Sequence, residues 1–305
     1  MKSRLSLLSP GVLTIGAVSF TVLAWASAFV AIRSAGAAYS PGALALGRLL
    51  AASLVLVVLL LVRREGPPPR GAWRGILVSG VVWFGGYMVA LNWGERLVDA
   101  GTASLLVNIG PILMALLAAR LLGEALPPRL LAGMAVSFVG AVVVGLSMSS
   151  SGGGGSTSVL GVVLCLLAAV AYATGVVAQK PALSFGTPLQ ITAFSCLIGA
   201  VACLPFIGQL AHELPDAPLS ATLGMVYLGV VPTALAFITW SYALARMPVG
   251  KLGSTTYAVP AVVVLLSWAF LGEVPAWLTL AGGVLCLAGV AVSRSRPRVE
   301  EGVAA

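Results

Sequence analysis

Residues 101–124 read GTASLLVNIGPILMALLAARLLGE, and residues 250–273 read GKLGSTTYAVPAVVVLLSWAFLGE. Set one above the other at an offset of 149, they place Gly101 on Gly250, Pro111 on Pro260 and Leu122-Gly123-Glu124 on Leu271-Gly272-Glu273. Matches of Val or Leu mean little in an apolar chain, but prolines and Gly-Glu pairs are rarer, and these recur in order. Outward from this stretch the same offset puts Gly75 on Gly224, Gly80-Val81-Val82 on Gly229-Val230-Val231, Ala132-Gly133 on Ala281-Gly282 and Gly140 on Gly289. Ahead of the basic loop at 63–74 the offset falls to 147, where Trp25 meets Tyr172, Arg33 meets Lys180 and Pro41 meets Pro188. One unit is present twice.

Composition places both copies in lipid. Of 305 residues, 59% are hydrophobic and 9% charged, with 17 bases, 9 acids and one histidine, and the mean hydropathy is +1.06. A soluble domain carries about 25% charged residues to face water. The net charge of +8 does not indicate a nucleic-acid partner, because the bases stand singly or in small groups between apolar runs and form no wettable basic face. Cys165, Cys196, Cys203 and Cys286 lie inside apolar stretches without paired spacing, which indicates neither disulfides nor a metal site. No cofactor is expected. Lys2 and Arg4 before an apolar run ending at Ala26-Ser27-Ala28 have the outline of a signal peptide, but the segment has a counterpart in the second copy and is read as a span.

A membrane helix needs roughly 20 apolar residues. That ruler predicts an all-α membrane protein with ten spans, at about 11–32, 41–62, 75–94, 99–121, 129–147, 159–179, 188–209, 220–242, 249–270 and 276–293. With the N-terminus cytoplasmic, fourteen bases face the cytoplasm, Arg33 and Arg96 face outward, and Arg48 lies within a span. Both termini are therefore expected in the cytoplasm, and the chain in the inner (plasma) membrane. Five spans per copy is an odd number, so the second copy enters the membrane inverted, an arrangement found in many secondary transporters. The expected organisation is a first repeat at 1–148, a Gly/Ser linker at 149–158, a second, inverted repeat at 159–293 and a cytoplasmic tail at 294–305.

Pro41 with Arg48, Ala90-Leu91-Asn92-Trp93, Ala103-Ser104-Leu105-Leu106 through Pro111, and the Gly-Glu pairs at 123–124 and 272–273 resemble the EamA branch of the drug/metabolite transporter superfamily. The resemblance covers nearly the whole chain. It implies ten helices in two inverted five-helix halves, a central cavity, and export of small metabolites such as amino acids. Glu95-Arg96 departs from the family pattern by its charge.

Residues expected at the solute path follow from three arguments. Pro111 and Pro260 interrupt spans four and nine at matching positions, free the carbonyls of Val107 and Thr256, and mark helix breaks for cavity lining or gating, with Asn108, Tyr257 and Thr255-Thr256 beside them. Arg48 is the one charge deep in a span, suited either to receive a substrate carboxylate or to brace neighbouring helices. Trp25, Tyr87, Tyr172 and Trp240 are mid-span aromatics able to hold an apolar or zwitterionic solute, whereas Trp73, Trp93 and Trp277 suit interfacial anchoring. Glu124 and Glu273 are expected to cap or brace a neighbouring helix, and Lys180 to stand solvated at a span end. Glycines in spans five and ten indicate close packing or a homodimer contact.

All nine acids fall at span ends, in loops or in the tail, so the expected carrier is a facilitator or exchanger of neutral or zwitterionic solutes without a deep proton-coupling carboxylate. An embedded enzyme lacks its catalytic cluster. A channel is separated from a carrier by whether flux saturates and is stimulated by counter-flow. Sugar-phosphate, nucleotide-sugar or drug antiport is the alternative within the transporters, but a phosphate calls for several converging bases.

Overall fold

The computed structural model describes residues 9–98, 103, 106–151, 158–271 and 276–294, and every described regular element is helical. The helices are α1 (Pro10–Ala35), α2 (Pro41–Arg63), α3 (Arg70–Leu97), α4 (Gly110–Leu122), α5 (Pro128–Ser151), α6 (Val159–Ala182) and α7 (Pro188–Ala202, continuing as Leu204–Glu213). They continue with α8 (Leu219–Leu244), α9 (Val249–Gly253, Ser254–Tyr257 and Ala258–Leu271 in succession) and α10 (Trp277–Arg294). Pro10, Pro41, Pro128 and Pro188 open helices, where a missing N–H costs nothing and φ is already helical. Thr187 and Gln190 add a full capping box at the start of α7.

Among the described residues, eight helices are long and apolar enough to cross a membrane, nine if the bent α7 is one span, and α4 is a shorter apolar helix. The expected straight span at 188–209 is instead bent by 50°, where the turn Leu204–Phe206 around Pro205 replaces α-helix. The expected span at 99–121 is regular from Gly110 onward; residues 99–102 and 104–105 lie outside the described residues. Leu54, Leu61, Val159 and Leu219 stand exposed, which suits lipid and not water.

Two features of the fold repeat at the offset of the duplication. The helix α3 widens into a π-helix at Ser79–Tyr87, and α8 does so at Gly229–Leu235. The helices α5 and α10 pack together through glycines: a Cβ at Gly133 would lie 2.6 Å from the Gly289 carbonyl oxygen, and one at Gly140 would lie 2.6 Å from the Gly282 oxygen. Numbers rise along α5 as they fall along α10, so the two run antiparallel. At the centre Ser137 Oγ donates to the Cys286 carbonyl at 3.0 Å, and Cys286 Sγ donates back to the Ser137 carbonyl. These glycine faces are consumed within the chain. A homodimer through spans five and ten is therefore not supported, because the close approach that glycine permits is already occupied.

Candidate functional site

A cavity of about 370 Å³ opens among α1 to α6, α8 and α9, with Val144 as the α5 contribution. Helical spacing selects its lining. On α1 it takes Trp25, Ala28, Ile32 and Gly36, and on α2 Pro41, Leu44 and Arg48, positions three or four apart on one face. It extends to the end of the bundle where α1 finishes and α2 starts, reaching Tyr39, Glu95 and Arg96 there.

Its deep end is aromatic. The Trp83 ring lies 5.6 Å from Tyr172 and 4.6 Å from Phe237, Tyr87 lies 5.7 Å from Tyr172, and Trp25 lies 5.6 Å from Phe237 and 6.3 Å from Tyr172. Trp25 is held in place by Nε1 donating to the Pro232 carbonyl at 3.1 Å. Above this floor Arg48, 8% exposed, donates through Nε and Nη2 to Thr233 Oγ1 at 3.2 and 2.9 Å. Thr233 passes the bond on to the Leu228 carbonyl. Thr233 sits in the π-segment of α8, so the wider turn sets the partner of Arg48. Pi-bulges concentrate at functional sites for this kind of reason.

The opposite end of the bundle is tied. Lys180 Nζ donates to the carbonyls of Leu244 and Met247, the latter at 2.8 Å. The Glu124 carboxylate accepts from the backbone N–H of Val249 at 2.9 Å and of Gly250 at 3.4 Å, capping the start of α9 as an anion should. The bracing expected of Glu124 is thus present. Lys180 differs from expectation: half-buried rather than free in solvent, it reaches from α6 to the end of α8. Glu273 lies outside the described residues.

Of the residues expected at the solute path, Trp25, Arg48, Tyr87, Asn108, Pro111, Tyr172, Thr256 and Pro260 line the cavity. Trp240 does not; it is buried, with its ring 4.9 Å from that of Trp25. Tyr257 does not either, being fully buried with its hydroxyl donating to the Asn108 carbonyl at 3.0 Å. Thr255 and Thr256 hydroxyls donate to the carbonyls of Leu252 and Gly253, so side chains satisfy the irregular backbone ahead of Pro260. Asn92, Trp83 and Phe237 line the cavity without having been expected to. Glu95 stands near a helix end, as expected of the acids, yet that end lines the cavity. The solute path is therefore not free of carboxylates. A face running Met88, Leu91, Asn92, Glu95 at helical spacing was available in the sequence as the signal.

The arrangement is a dead-end vestibule in a helical bundle, apolar at depth with a few fixed polar groups, suited to holding a small solute. A sequence profile of the EamA-like transporter family matches residues 12–146 and again residues 159–295. The chain belongs to that family. It is 38% identical over 92% of its length, and 93% of the relative's, to a probable terminal-alkyne amino-acid exporter of Streptantibioticus cattleyicolor. It is 25% identical over 67% of its length, and 69% of the relative's, to a probable amino-acid metabolite efflux pump of Escherichia coli. An uncharacterized transporter of Bacillus subtilis is 32% identical over 87% of this chain and 86% of its own. A solved crystal structure shares the fold, with a TM-score of 0.76 at 24% identity over 94% of this chain and 97% of that one. This EamA protein is a multi-pass membrane transporter of small molecules, and not an enzyme.

Proposed function

We propose that this EamA transporter exports or exchanges small zwitterionic amino acids with apolar side chains, by alternating access, across the plasma membrane. The observation that carries the reading is the pairing of Arg48, fixed on Thr233, with the floor of Trp25, Trp83, Tyr172 and Phe237 in one cavity. The guanidinium receives a carboxylate, and the rings receive the side chain. A cavity open at one end and tied at the other by Lys180 and Glu124 is one of the two states that alternating access requires.

Two inverted five-helix repeats, at 1–148 and 159–293 about a short linker, account for the double family match, the paired π-segments and the antiparallel α5–α10 contact. With both termini cytoplasmic, the open end faces outward. Phosphorylated solutes fit less well. The cavity's second base, Arg96, stands at the rim and donates to the carbonyls of Gly36 and Tyr39, so Arg48 is the base at depth.

The test uses the purified full chain in liposomes preloaded with L-propargylglycine, an amino acid with a terminal alkyne. Saturable uptake of labelled L-propargylglycine by counter-flow, lost in Arg48→Ala, is expected. Flux that does not saturate, or that is unchanged in Arg48→Ala, overturns the reading. A facilitator or exchanger needs no imposed pH gradient for this uptake.

A further inference from the structure

One charged group in the cavity has no role in the reading above. Met88, Leu91, Asn92 and Glu95 share a face of α3 and all line the solute space. Neighbours on several sides hold that face in place. Asn92 Nδ2 donates to the Pro41 carbonyl at 3.1 Å. Gly94 lies so close to α6 that a Cβ there would meet Cys165 Sγ at 2.7 Å. Arg96 donates to the Gly36 and Tyr39 carbonyls. The helix cannot rotate about its axis to carry position 95 off this face without breaking these contacts. Because Asn92 is level with Pro41, Glu95 stands one turn toward the open end and Arg48 two turns toward the interior. Both line the same cavity.

We propose that Glu95 receives the ammonium group of a zwitterionic solute, whose carboxylate points inward to Arg48 and whose side chain lies on the aromatic floor. This rests on the amino-acid reading above and adds to it the residue that distinguishes an amino acid from a simple acid or a neutral metabolite. An ammonium group gives Glu95 charge-assisted hydrogen bonds. A neutral solute offers no opposite charge to either group. An anion pairs with Arg48 but is repelled by Glu95.

The experiment compares two probes in the reconstituted full chain: L-propargylglycine, and 4-pentynoate, the same acid without its amino group. KM is measured for counter-flow of the first, together with the concentration of the second that halves it. Glu95→Gln is expected to raise KM for L-propargylglycine by about tenfold or more, the worth of a hydrogen bond to a charged group. Inhibition by 4-pentynoate should stay or strengthen in the same variant, and Glu95→Asp should recover most of the lost affinity. Both values are read within one preparation, so a lower yield of folded protein cannot imitate the result. Equal weakening of both probes assigns Glu95 a structural part and overturns the proposal. An unchanged KM with lost sensitivity to a pH gradient assigns it to proton coupling and also overturns it. Wild-type protein without saturable counter-flow removes the amino-acid reading itself, whereas wild-type flux with an unaltered Glu95→Gln KM removes the present inference alone.

Discussion

Lys180 and Glu124 tie the closed end of the bundle, and removing both should shift the carrier toward opening there. Lys180 Nζ holds two carbonyls at the end of α8, and Glu124 holds two amides at the start of α9. A hydrogen bond to a charged group contributes about 1.5–3 kcal/mol, but Lys180 is partly exposed and its carbonyls regain water on opening, so about 1.5 kcal/mol is a fair value for the whole contact. The Glu124 cap adds about 1 kcal/mol, as helix N-terminal anions do. Together these are about 2.5 kcal/mol, roughly a 70-fold shift in the ratio of closed to open. Spin labels on Ser184→Cys and Ala245→Cys report the separation of α6 from α8 at this end. Labelling is selective because Cys165, Cys196, Cys203 and Cys286 are all buried. Wild type is expected to give one short distance. Lys180→Met with Glu124→Ala should add a longer one as a major population. An unchanged distance distribution in a double variant that remains folded would show that these bonds decorate the closed end without holding it.

Three other substitutions are informative. Gly140→Leu puts a side chain where Cβ alone would lie 2.5 Å from the Cys286 nitrogen, so overpacking of about 1–3 kcal/mol or more should lower the thermal midpoint of the purified protein or prevent its recovery. Thr233→Val removes the hydroxyl that both Nε and Nη2 of Arg48 engage, and KM for L-propargylglycine should rise several-fold, with a loss of about 1–3 kcal/mol in stability because the buried guanidinium loses that acceptor. Tyr257→Phe removes one hydrogen bond to the Asn108 carbonyl; a loss of about 1 kcal/mol in stability with unchanged KM is expected, because Tyr257 lies outside the cavity lining.

The duplication, the helix starts and the interrupted spans four and nine were legible because they depend on rare residues: Pro41 and Pro188, Gly123-Glu124, Pro111 and Pro260. Rotation of each helix about its axis was not. A span apolar all round carries no amphipathic signal, so nothing in the sequence distinguished Trp25, which lines the cavity, from Trp240, which is buried beside Trp25 and outside the lining. The π-segments also escaped notice, since Ser79–Tyr87 and Gly229–Leu235 share glycine and valine but no residue type that demands an i→i+5 bond. Depth misled in the case of Glu95. Its position near the end of α3 is a rim in sequence, but the vestibule extends to that rim and brings the carboxylate into the solute space.

Contacts between repeat mates carry the symmetry further. A residue touches its own counterpart only where the axis relating the copies passes. Ser137 and Cys286 do so, as do Asn108 and Tyr257, and Trp25 and Tyr172 face each other at 6.3 Å. With the repeats inverted as proposed, the axis would run from the α5–α10 contact, past the prolines of α4 and α9, into the aromatic floor. On the proposed inverted arrangement, each group lining the open end has a counterpart at the tied end. Asn92 corresponds to Ser241, which is buried and bonded to Thr192, and Glu95 corresponds to Leu244, whose carbonyl is held by Lys180. On that arrangement the two ends would exchange roles, but their charge differs: no carboxylate stands at Leu244 to match Glu95. If Glu95 receives the ammonium group as proposed, a zwitterion would meet that partner on one face of the membrane only, and the carrier should bind it with different affinity from the two sides.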